Sequence, residues 1–277
     1  MDNYGDSGSH GIILHPEFEE LKAEIDKLRT EISMLVLEQD ELLYHECKNI
    51  EAKYMLSVGA LEYKAYELEC AILRLRRKIE LIQEKKNRQE KIVLSKIDEI
   101  LEFEFEEYQA KLNERINRMN AAIKRDGSRR LTEEENRELK KMYRAIVKAL
   151  HPDLHPDLSA AKIELFYSAL RAYKNGDIKG LEIIETMVSE PAVAIEITDG
   201  LAFLMGEKER LTKLLQVVKH RTAEIKLEYP YTMKSFVQSP EKIKARKTEL
   251  EDHIKHLNEA LAAYMARIEE MLRCVNE

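Results

Sequence analysis

Tryptophan is absent from the 277 residues, and glycine (9), proline (6) and phenylalanine (6) are scarce. Strand-rich folds need glycine and proline for their many tight turns and aromatics for pleated faces, so a sandwich or barrel is excluded. Cysteine occurs only at Cys47, Cys70 and Cys274. An odd count with no paired spacing argues against a disulfide framework and for a reducing, cytoplasmic compartment. The longest stretch without charge, Ser7 to Pro16, falls far short of the ~20 apolar residues that span a bilayer. The opening Met1-Asp2-Asn3-Tyr4-Gly5-Asp6 lacks the basic and apolar regions of a secretory signal, so neither membrane nor export is expected. With 45 basic against 52 acidic residues the net charge is −7, which disfavours a protein that coats nucleic acid. Gly-x-x-x-x-Gly-Lys, Gly-x-Gly-x-x-Gly and Gly-x-Ser-x-Gly are all missing, so we expect no nucleotide site, no cofactor and no enzyme.

What remains is charge (35%) and aliphatic residues, the composition of long solvated helices that still have enough apolar material to fold. The expected class is all-α, with long coiled-coil arms flanking a small helical hairpin module. Phe18, Leu21, Ile25, Leu28, Ile32, Leu35 and Leu42 recur at steps of three and four, interrupted at Gln39. Leu61, Ala65, Leu68, Ile72, Leu75, Ile79 and Ile82 repeat the pattern, as do Ile97 to Met119 and, most cleanly, Leu250 to Met271. Such narrow seams are covered by one neighbouring helix. The polar stretch Glu84–Glu90 predicts a turn that folds the first arm back on itself, and Ser95 with Asp98 predicts the next helix start. The expected organisation is a disordered 1–15, an N-terminal arm over 16–125, the module over 126–190 and a C-terminal helical hairpin over 191–277.

Residues 132–175 carry the chemistry. Thr132 and Glu135 form a capping-box pattern for a helix to Leu150, whose apolar face holds Leu139, Met142, Tyr143, Ile146, Val147 and Leu150. On another face Arg137, Lys141, Arg144 and Lys148 recur, with Lys140 beside them, and no acid follows Glu138 until Asp153. This basic stripe suits an acidic protein surface, although an ordinary solvated helix face has the same composition. Next comes His151-Pro152-Asp153-Leu154-His155-Pro156-Asp157. Pro152 forces His151 into extended geometry, so the helix stops and a stiff tip follows, with imidazole and carboxylate on display. A second helix, ended at Asn175-Gly176, carries Ile163, Phe166, Leu170 and Tyr173 to pack on the first.

A tyrosine- and lysine-bearing helix ending in His151-Pro152-Asp153, followed by Phe166 through Ala172-Tyr173, resembles the J-domain (DnaJ-like) co-chaperones. The match covers about 45 residues. The resemblance implies a module that binds a DnaK-type ATPase chaperone and stimulates its ATP hydrolysis. His151, Pro152 and Asp153 would be the activating loop, and Arg137, Lys140, Lys141, Arg144 and Lys148 the partner-binding face. Leu150 stands where the family usually has tyrosine, and the short first helix is not recognisable; the segment Ile116–Ile123 is expected to pack in its place. No Gly/Phe-rich linker, Cys-x-x-Cys region or β-rich client domain is present, so the arms would select the client or hold an assembly, including a homodimer. The competing class is a coiled-coil scaffold with a degenerate, inactive J-like fold.

Three other signals carry less. His151 and His155 at i,i+4 share a face only on a helix, which Pro152 and Pro156 forbid, so no metal site is expected. The second copy, His155-Pro156-Asp157, reads as loop chemistry, with Asp157 or Ser159 capping the next helix. Lys124–Lys148 holds nine basic and five acidic residues but lacks interleaved aromatics that would stack bases.

Overall fold

The computed structural model describes residues 16–127, 131–188 and 201–273, and every regular element among them is helical. The expected disordered 1–15 lies outside the described residues. Contacts divide the chain into two compact units, Met1–His45 with Arg130–Glu228 and Glu46–Arg129 with Tyr229–Glu277. Both units draw on distant parts of the sequence, so they do not follow the sequential division at 125 and 190.

In the first unit α1 (Pro16–Glu41) runs into a π-helical turn at Leu42–Glu46, and the hairpin is α6 (Glu133–Leu150) with α7 (Ala160–Asn175). α8 (Ile178–Val188) and α9 (Leu201–Leu227) complete it. α1 and α9 lie parallel: Glu24, Glu31 and Glu38 pair with Lys208, Lys219 and Lys226 in the same order. Seven-residue steps on the acidic side are what flanking positions of a parallel coiled pair require. Exposed pairs of this kind contribute at most about 1 kcal/mol each, so they fix direction and register more than stability. Stability comes from the apolar stripe between them. Ile25, Ile32 and Val36 meet Leu204, Leu211, Leu215 and Val218 in one core with Leu139, Tyr143, Ile146 and Val147 of α6. The helix that covers the hairpin is therefore α1, not the segment Ile116–Ile123. That segment lies in the other unit, with Ile116 and Ile123 exposed.

In the second unit α2 (Cys47–Tyr54) passes through a π-turn, Met55–Gly59, into α3 (Ala60–Asn87). Gly59 thus shifts the helical register without ending the helix. After the expected reversal, α4 (Leu94–Glu104) and α5 (Glu106–Asp126) return along α3 and α2. The bonds Lys78–Asp98 and Arg77–Glu104 tie α3 to α4. The helix read through Ile97–Met119 is interrupted at Phe105, and α4 starts after Val93 with no side-chain cap. The chain ends with the short α10 (Lys234–Val237) and α11 (Pro240–Arg273). α11 lies parallel to α3, with Glu62 and Glu69 bonded to Arg246 and His253, again seven apart on both helices. The C-terminal seam is covered within the chain. The expected hairpin over 191–277 does not form, because α9 takes its apolar partner from α1 and α11 takes its own from α3.

One polar node sits inside the first unit. Tyr143 and Tyr173, both fully buried, stack with centroids 4.1 Å apart and donate to Asp40 Oδ2 (2.7 Å) and Glu41 Oε2 (2.6 Å). Burial pushes the Asp40 carboxyl up to about 6. Burial also works against a charged Glu41, but bonds from Lys140 and Tyr173 outweigh it and hold that carboxyl below its ordinary range. The folded chain therefore holds the Asp40 proton more tightly than the unfolded chain, where the group titrates near 3.8. Asp40 contributes stability below that value and withdraws it as the pH rises toward 6. Asp40→Asn is expected to be more stable than the parent at pH 7, by up to about 3 kcal/mol. Urea unfolding across a pH series should show that gap closing by about pH 4; a gap independent of pH would refute this role for Asp40.

Candidate functional site

α6 begins as its sequence dictates. The Thr132 side chain accepts from the Glu135 backbone N–H (3.1 Å), and the Thr132 N–H donates to the Glu135 carboxylate (2.9 Å). Glu133, Glu134 and Glu135 in the first turn face the positive end of the helix dipole. Leu139, Met142, Tyr143, Ile146, Val147 and Leu150 are buried, as are Phe166 and Tyr173 of α7, while Leu170 packs partly buried at the edge. On the polar side Arg137, Lys141, Arg144 and Lys148 are exposed, and no ion pair engages them among the described residues. Lys140 differs from them: its ammonium lies 2.9 Å from Glu41 and ties α6 to α1.

The loop answers a specific deficit. His151 is extended (φ −65°, ψ 125°), as the residue before a proline must be. Pro152 has no N–H, so the Lys148 carbonyl loses the donor that would continue the helix. His155 supplies it, its Nε2 lying 2.8 Å from that oxygen. The chain then turns tightly, with the Leu154 and His155 N–H groups both donating to the His151 carbonyl at 3.0 Å. Leu154 is fully buried beneath the turn. The second histidine is thus a backbone fastener. Ser159 does precede α7 at the cap position, but its side chain makes no capping bond, and neither does that of Asp157.

The tip itself is asymmetric. The His151 ring packs edge-on against Phe166 at 5.0 Å, and its Nδ1 accepts the Asp153 backbone N–H at 3.2 Å. Half-buried, it is not displayed as the sequence suggests; the apolar face of Phe166 draws it inward. Burial lowers the pKa of both His151 and His155, which favours the neutral ring that the His151 Nδ1 acceptor requires, while the His155 bond to the Lys148 carbonyl pulls the other way without outweighing burial. Asp153 is exposed, and its carboxylate makes no ion pair among the described residues, although the Arg210 guanidinium lies near enough for the two charges to attract. Arg210 of α9 does reach the tip, but it binds the backbone carbonyls of Asp153 (2.7 Å) and Leu154 (3.3 Å). The display consists of one outward carboxylate, a half-buried proline and a stripe of four cations running up the helix behind them.

No family model, no curated protein and no solved structure matches the chain. Among the described residues no cluster of His, Cys, Asp and Glu is arranged to hold a metal ion, and no helix is long and apolar enough to cross a membrane. The residues that sequence reasoning missed are Leu154, Arg210 and the carboxylates Asp40 and Glu41; His155 was read as loop chemistry, and its bond to the Lys148 carbonyl gives that reading a form. Only His155 left a local signal, the carbonyl that Pro152 strands four residues into the helix.

Since the folded rings bind protons more weakly than free histidine near 6.5, the tip loses stability as pH falls through that value toward the folded pKa. NMR titration of the imidazoles is expected to place both His151 and His155 below 6.5. Either one titrating above it would mean a charged ring and would contradict the acceptor role of His151 Nδ1 or the burial of His155.

Proposed function

We propose that the α6–α7 hairpin is a J-domain-like co-chaperone module acting in the cytoplasm. It catalyses nothing itself. Its basic stripe docks a DnaK-type ATPase chaperone, and its His151-Pro152-Asp153 tip stimulates that partner's ATP hydrolysis. The coiled helices provide for client binding or assembly. The observation that carries this reading is the exposed Asp153 carboxylate, near the Arg210 charge but in no ion pair with it, just past a helix whose four exposed cations Arg137, Lys141, Arg144 and Lys148 have no ion pair among the described residues. Exposed charges outside internal ion pairs steer encounter with a surface of opposite sign. The stiff turn leaves the tip little conformational entropy to lose on binding.

Single-turnover ATP hydrolysis by a DnaK-type chaperone tests the proposal. The wild type should accelerate it. Asp153→Asn and His151→Gln should remove most of the acceleration, on the order of tenfold or more, if the tip acts only in the productive complex. The double reversal Lys141→Glu with Arg144→Glu should instead raise the concentration for half-maximal effect, and more so at low salt. Absence of stimulation by the wild type across several such chaperones would leave the coiled-coil scaffold as the reading.

A further inference from the structure

The hairpin fastens its tip through His155 and the His151 carbonyl, but not at every group. Among the described residues the carbonyls of Asp153 and Leu154 receive no bond from α6 or α7; their donor is Arg210, 57 and 56 residues further along the chain. Both edges of the guanidinium are used. Nε and Nη2 grip Glu207 at 2.7 and 3.0 Å, one helical turn earlier on α9, while Nη1 and Nη2 reach the tip. Glu207 in turn accepts from Arg29 of α1 at 3.1 Å, and its side chain is only 12% exposed. Leu204 and Leu211, buried on either side, fix the face that α9 presents. A planar fork with five donors can serve a carboxylate and two carbonyls at once, which an ammonium cannot.

We infer that Arg210, anchored by Glu207 and Arg29, is a positioning residue that clamps the Asp153–Leu154 backbone and so aims the Asp153 carboxylate outward. The hydrogen bonds go to main-chain oxygens, so the Asp153 carboxylate feels the nearby guanidinium charge but is left exposed and not bonded to it. The clamp makes the paired helices α1 and α9 part of the module. Its consequence for chaperone stimulation rests on the function proposed above; the ordering of the tip does not.

Two measurements on the full chain separate these. The first is amide hydrogen exchange at Leu154 and His155, whose N–H groups donate to the His151 carbonyl. Arg210→Met keeps the aliphatic stem and removes the fork, and should speed exchange at both amides by about tenfold or more. Arg210→Lys should fall between the two, and Glu207→Gln should act in the same direction; these two variants decide the matter if Arg210→Met fails to fold. Unchanged exchange in folded variants overturns the clamp, whatever the chaperone assay shows. The second is stimulated ATP hydrolysis. The Arg210→Met variant should lose maximal stimulation severalfold at a nearly unchanged half-saturating concentration, which the α6 stripe sets. Faster exchange with full stimulation would overturn the positioning role. A wild type that stimulates nothing would sink the co-chaperone reading, while the exchange result would still decide the clamp.

Discussion

The first unit depends on α1 and α9 lying parallel. Two parallel helices cannot be joined by a short turn, because the chain must travel the length of the pair to start again at the same end. The hairpin α6–α7 and α8 occupy that crossover. α6 runs antiparallel on α1, from Lys140 beside Glu41 to the tip beside the Arg29–Glu207 pair. On α1, Arg29 and Glu41 are twelve residues apart, about 18 Å at ~1.5 Å per residue, and α6 from Lys140 to Leu150 covers ten, about 15 Å, with the loop supplying the rest. The place of the tip along the pair thus follows from helix length, once the tyrosine node fixes the other end.

Polar groups secure the hairpin along its length. Tyr143 in the middle of α6 and Tyr173 of α7 carry hydroxyls into the core, where an unpaired donor would be costly, and Asp40 and Glu41 accept them. At the tip Pro152 strands a carbonyl, and the His155 ring meets it. Neither contact could be replaced by an apolar one without leaving a partner unmet. Loss of either should therefore be felt as misplacement of the hairpin more than as lost buried area.

What the sequence made legible was local. The capping box at Thr132, the left-handed cap at Gly176 (φ 68°) and the extended His151 each depend on residues within a turn of one another. The seams were legible as seams, but not their partners. Every seam has the same aliphatic composition, and hydrophobic burial is not directional. The pairing information lay in charge: Glu24, Glu31 and Glu38 at steps of seven, and Arg246 and His253 at the same step opposite Glu62 and Glu69. Those residues are scattered among 97 charged ones, and many combinations share the step. Arg210 was invisible for a related reason. An arginine that binds main-chain carbonyls asks nothing of the side chains it approaches, so no complementary residue marks its target.

Charge also distinguishes α6 from the helices around it. Elsewhere cations commonly find carboxylates within a turn or on the facing helix, as at Lys48–Glu51, Lys64–Glu67 and Lys213–Glu209. Between Glu138 and Asp153 the sequence offers none, and among the described residues no ion pair reaches Arg137, Lys141, Arg144 or Lys148. Like charges three and four residues apart repel and cost the helix a few tenths of a kcal/mol each. A helix serving only as a corner has no use for that cost, and a single glutamate in the stripe would relieve it. In a chain of net charge −7, a positive stripe behind the exposed Asp153 carboxylate presents two signs in a fixed order. On the function proposed above, a partner would read such an order as orientation.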